Sequence, residues 1–163
     1  MPKKKEQEKT PFSDKIDIRG GKMTFGQRID LGKLFQSGAS EVEKFERAFE
    51  ILHKKRPNHL QYTVLMKYFY QIIDGLTFWA QQEAAMLHYE PTEEEVRAGI
   101  KEYSEKVGEL GTVKSLAKTY STDPDVILSW EYGKVFGLLF ADLEEAKFQR
   151  RLNKVIEQKY NKK

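Results

Sequence analysis

The residue types that could carry chemistry are few in this chain: His53, His59 and His88, the run Glu93-Glu94-Glu95, and the glycine-framed stretch GGKMTFGQR. A helical zinc site places two histidines four residues apart so that both face the metal. Pro57 separates His53 from His59, and His88 lies on a later segment, so the spacing supports no metal site. The three glutamates follow Thr92, and carboxylates in a helix's first turn are favoured by its dipole; they read as capping groups rather than as an acid/base cluster. From Gly21 to Gly26 the spacing is that of a phosphate loop, but Gln27-Arg28 stands where the lysine and hydroxyl must be. The absence of cysteine excludes thiol catalysis, a disulfide framework and cysteine-ligated zinc. No nucleophile has a base beside it, so the expectation is a protein that is not an enzyme and needs no cofactor or metal.

Nucleic acid is the next chemistry to weigh. The segment LAKTYSTDPDVILSW has the helix, short turn and second helix of a helix-turn-helix. The residues that would enter the groove are Asp125, Val126, Ile127, Leu128 and Ser129, whereas base edges are read mainly by Arg, Lys, Asn and Gln. An aspartate at the entrance also repels phosphate. The net charge of +3 is carried by the ends: residues 1–9 hold four lysines and two glutamates, and residues 157–163 hold three lysines and one glutamate. The body between is near neutral, which is not the basic face that a nucleic-acid binder presents. No specific nucleic acid is expected as a partner.

The elements that position these residues are mostly helical. Ile16 and Ile18 alternate, then Met23 and Phe25, about Gly20-Gly21, which predicts a small hairpin near residues 15–25 lying against helices. A short helix follows with Ile29, Leu31, Leu34 and Phe35 inward, stopped at Ser37-Gly38. Ser40 and Glu43 have capping-box spacing for a second helix, with Val42, Phe45, Phe49 and Leu52 on one face and Pro57 as its end. From Leu65 to Ala80 the polar positions form only a narrow stripe, the mark of a central helix. Thr92 and Glu95 cap a helix of sparse apolar face that suits an outer position, and Gly108 and Gly111 open a turn before TVKSLAKTY.

Asp123, with Pro124 behind it, starts a helix that is apolar to several directions from Val126 to Phe140 and must be buried on several sides, with Trp130 as a structural group. Gly133 and Gly137 share a face and imply a close backbone approach. From Asp142 onward Phe148, Leu152, Val155 and Ile156 make a single stripe, so the chain moves from core to edge. Phe78, Trp79, Trp130, Tyr132, Phe136 and Phe140 allow two readings, core or a trough for another chain's helix; in the second, Phe78, Tyr132, Phe136 and Phe140 are the partner-binding residues. The fold class is mainly α, a compact multi-helix bundle with one small N-terminal β-hairpin. Residues 1–14 form a flexible basic leader, 15–160 a single helical domain and 161–163 a basic tail. The leader has no apolar run, and no segment approaches the ~20 apolar residues of a membrane span, so neither standard export nor a membrane is expected.

Three stretches, IDIRGGKMTFGQRIDLGKLF, YFYQIIDGLTFWAQQE and AKTYSTDPDVILSWEYGKVFGLLFADLEEAKFQRRL, resemble phage tail assembly chaperones of the long-tailed phage type. The resemblance spans most of the chain and rests on helical pattern and size. It implies a small, largely helical, non-virion protein of the host cytoplasm, which holds the aggregation-prone tape measure protein while tail tube subunits assemble. The family has no catalytic or ligand motif to carry over. Self-association is left open. The alternatives are a helix-turn-helix DNA-binding regulator and a structural adaptor retained in the tail or neck.

Overall fold

The computed structural model describes residues 15–57 and 62–160. The leader 1–14, the tail 161–163 and His59 lie outside them. Seven helices follow in order among the described residues: α1 (Phe25–Gln36), α2 (Glu41–His53), α3 (Tyr62–Met86), α4 (Glu93–Arg97), α5 (Ile100–Thr119), α6 (Pro124–Ser129) and α7 (Tyr132–Tyr160). Their starts are set by side chains that satisfy first-turn N–H groups. Thr24 and Gln27 form a reciprocal capping box, as do Thr92 and Glu95; Ser40 accepts from the Glu43 N–H and Asp123 from that of Asp125.

The N-terminal hairpin does not form: no strand occurs among the described residues, and residues 17–22 fold into a turn. Asp17 accepts from the Gly20 N–H through Oδ1 (2.8 Å) and from the Lys22 N–H through its carbonyl (3.0 Å). The extended backbone after the turn pairs with the start of α7 instead. Phe25 N donates to Trp130 O (2.8 Å), Tyr132 N to Met23 O (2.8 Å) and Gly133 N to Gly21 O (3.1 Å), with an antiparallel bridge between Thr24 and Glu131. The alternation of Ile16, Ile18 and Met23 reflects burial of the turn. Ile18 and Met23 lie in the core, the Trp79 indole donates to Ile18 O (2.7 Å), and Ile16 N donates to the Tyr68 hydroxyl (3.0 Å).

Two glycines allow this wedge between α3 and α7. Gly21 has φ +74° and faces Gly133, so a Cβ there would lie 2.7 Å from the Gly133 Cα; a Cβ on Gly75 would lie 2.7 Å from the Ile18 side chain. Around the wedge, one core takes Ile29, Leu31 and Leu34 from α1, Phe45, Ala48, Phe49 and Leu52 from α2, and Leu65, Tyr68, Phe69, Ile72 and Trp79 from α3. Phe45, Phe49, Phe69 and Tyr68 meet edge to face, with centroids 5.3 Å apart for Phe45–Phe69 and 5.4 Å for Phe49–Tyr68.

Other expectations shift in detail. Val42 is exposed at the outer start of α2, and that helix ends at His53 because Lys54 adopts a left-handed conformation (φ 54°), before Pro57 is reached. The apolar helix from Val126 onward is two helices, because Trp130 is extended (ψ 145°) to pair with Phe25. Val126 is exposed, and Trp130 is only half-buried, packed between the Tyr120 ring and the Lys134 ammonium. Trp79 is the buried tryptophan. Gly99 (φ 82°) separates α4 from α5, and the expected break at Gly108 is present: its backbone is non-helical (φ 51°, ψ -142°), so α5 is two helical stretches meeting at a kink.

Candidate interaction surface

Helix α7 determines which apolar groups serve this chain and which are left over. Its first three turns pack inward: Tyr132 and Val135 are buried, and Phe136 and Leu139 lean on the core. Leu143 continues this side toward a groove of about 1000 Å³ between α7 and the α3–α4 connection. From there the inward side turns basic, with Lys147, Arg150 and Lys154 facing Glu90, Glu93 and Glu94. Arg150 is the clasp. Its guanidinium lies over the Tyr89 ring (4.7 Å), donates to Glu90 O (3.0 Å) and to the Tyr89 hydroxyl, and reaches Glu95 (3.4 Å). The Tyr89 hydroxyl donates to Glu95 Oε1 (2.5 Å), which first of all holds the Glu95 carboxyl below its ordinary range and in turn raises the Tyr89 pKa.

On the opposite side of the same helix lie Phe148, Leu152, Val155 and Ile156. At 3.6 residues per turn they fall about half a turn away from Leu143 and Arg150. All four are exposed, Phe148 by 51% and Val155 by 62%. Upstream on this outer side are Gly137 and Ala141, also exposed, and nothing lies within 4 Å of where a Gly137 Cβ would be. A glycine in a helix interior costs ~1 kcal/mol relative to alanine. The chain's own packing justifies Gly133, which meets Gly21, but not Gly137.

The second surplus is the arm formed by α4 and the first half of α5. From Glu93 to Thr112 no residue is buried. Ile100 and Val107 are half-buried, while Val96, Tyr103 (61%) and Leu110 (74%) are exposed. Its joints are Gly99 and Gly108, both at positive φ with nothing within 4 Å of an added Cβ, so glycine serves backbone direction there and not close packing.

The four residues singled out from the sequence as partner-binding divide between interior and rim. Tyr132 is buried, 3% exposed, and stacks on Phe25 at 5.9 Å. Its hydroxyl donates to Glu83 Oε1 (2.6 Å), and Glu83 is gripped by Arg28 through Nη2 (2.8 and 2.9 Å) and Nε (3.1 Å). Burial first, and then the Glu83 carboxylate, push the Tyr132 hydroxyl well above its ordinary range. This triad borders a cleft of about 320 Å³ and ties α1, α3 and α7 together. Phe78 and Phe136 are half-buried against Trp79, at 5.4 and 5.1 Å, and Arg19 covers the Phe78 ring at 4.9 Å. Phe140 is half-buried one turn further along. The cluster is core with a rim. The stripe from Phe148 to Ile156 shows in the sequence as the chain's move from core to edge; the arm residues Tyr103 and Leu110 carry no signal there beyond a sparse apolar face.

The phosphate-loop resemblance dissolves in the same geometry: Gln27 caps α1 and donates to Ile51 O (3.2 Å) and Leu52 O (3.3 Å), and Arg28 belongs to Glu83. Among the described residues no group of three or more His, Asp and Glu could hold a metal ion, and no helix is long and apolar enough to cross a membrane. Comparison with known proteins returns no matching family model, curated sequence or solved structure.

Proposed function

We propose that this chain is a non-catalytic helical chaperone of the phage tail assembly type, which holds apolar helices of the tape measure protein during assembly. The observation that carries this reading is the glycine-jointed arm, in which Val96, Ile100, Tyr103, Val107 and Leu110 meet no core although the same chain buries a large one. Apolar groups left uncovered on a helix suit a surface completed by another chain, and an amphipathic client helix laid along the arm would supply that cover. The half-buried rim of Phe78, Phe136 and Phe140 adds aromatic groups on the body. The DNA-reading alternative has weaker support. Helix α6 is six residues long and exposes Asp125, Val126 and Ser129, which offer no bidentate donor to a base edge.

Co-expression tests the reading. With this chain the tape measure protein stays soluble and co-purifies with several copies, and Tyr103→Glu with Leu110→Glu abolishes co-purification while leaving the melting temperature unchanged. A tape measure protein that precipitates equally with and without this chain refutes it. An adaptor retained in the tail or neck would present the same arm, and its presence in mature particles separates it from a chaperone.

A further inference from the structure

We infer that the outer side of α7 is a self-complementary surface, on which two copies of this chain pair antiparallel. That side is uncovered from Gly137 to Lys159, a length of about 33 Å. It has two unlike halves. The first is small along its centre and acidic: Gly137 and Ala141 lie on the outer side with half-buried Leu138 at its edge, Glu145 beside them, and Asp142 and Glu144 flank it. The second is bulky and more basic: Phe148, Leu152, Val155 and Ile156 with Arg151 and Lys159. A parallel pairing would set bulk against bulk and like charge against like charge. An antiparallel two-fold centred near Phe148 sets Val155 of one copy over Ala141 of the other, leaves Gly137 open to the end of the neighbouring helix, and brings Glu144 opposite Arg151 of the second copy, both on the same flank of the stripe. Charge and size are thus both complementary in one orientation only. The pairing also gives Gly137 the close helix approach that its own chain does not provide.

This surface is separate from the arm assigned to the client, so the two readings fail independently. The test uses the full chain alone. Sedimentation equilibrium is expected to show a monomer–dimer equilibrium, and Phe148→Asp with Leu152→Asp should weaken it by roughly a hundredfold or more, as expected for central apolar contacts. The far-ultraviolet spectrum should not change, because both side chains are exposed. Gly137→Phe should also weaken the dimer, by crowding its close approach. Orientation is read by crosslinking in this cysteine-free chain. A mixture of Ala141→Cys and Val155→Cys proteins should join to each other through a short bismaleimide, in preference to either variant joining to itself. A monomer at every concentration up to the solubility limit overturns the inference, and so does a Val155→Cys protein that crosslinks mainly to itself.

Discussion

The two halves of α7 use opposite sides of one helix. In the first, Tyr132, Val135, Phe136 and Leu139 face the body; in the second, Phe148, Leu152, Val155 and Ile156 face away from it, while Arg150 and Lys154 occupy the side toward the body. An amphipathic stripe therefore does not by itself say whom it serves. The direction of the stripe relative to the clasp at Arg150 does: the proximal half stabilises this chain, and the distal half is available to another.

The largest effect that sharpens the comparison is at the wedge and indole that the proximal half covers. Trp79→Ala should cost ~3–5 kcal/mol in chemical denaturation, because it removes a buried ring and one of the two hydrogen bonds that the Ile18 carbonyl accepts, leaving only that from the Gly21 N–H. Trp130→Ala, half-buried at the surface, should cost clearly less. Equal losses would mean that Trp130 is as deeply buried as Trp79. Gly21→Ala belongs to the same class, since both its positive φ and the 2.7 Å approach to Gly133 oppose a side chain.

A matched pair comes next. Val135→Ala should destabilise by ~2 kcal/mol through lost burial and a cavity, whereas Val155→Ala in dilute solution should stay within ~0.5 kcal/mol. Similar values for both would break the distinction between the halves.

A smaller effect is the pH dependence that Tyr132 gives the proximal half. The Tyr132 pKa is raised in the folded state, so its contribution is complete below the unfolded value of ~10 and declines as pH rises above it. Tyr132→Phe should flatten that alkaline decline in a denaturation series, although Tyr68, raised by burial, and Tyr89, raised by its hydrogen bond to Glu95, keep part of it. The smallest effect is at Gly137: Gly137→Ala should stabilise the monomer by up to ~1 kcal/mol, since the site is helical and open.

Much of this arrangement was legible in the sequence where the determinant is local. Thr24, Ser40, Thr92 and Asp123 mark helix starts because a cap acts within three residues, and the narrow polar stripe of α3 identified the central helix. The hairpin failed for the opposite reason. Residues 21–25 do pair as extended backbone, but with residues 130–133, more than a hundred positions away, and the same pairing breaks the apolar run at Trp130, where no Gly or Pro announces it. The closing stripe was visible too, but its outward direction follows from how α7 sits on the body, which periodicity does not contain. Tyr132 was placed with surface candidates because its partners, Glu83 and Arg28, lie on two other helices.

The most direct test of the division of α7 is the thermal midpoint of the full chain across a hundredfold range of protein concentration. A dimer that melts to unfolded monomers has a midpoint that rises with concentration. Self-pairing through the distal half predicts such a rise for the natural sequence and a flat response for Phe148→Asp with Leu152→Asp, the two proteins converging at the lowest concentration. A midpoint independent of concentration in the natural sequence, or one that falls in the double variant at the lowest concentration, would contradict it.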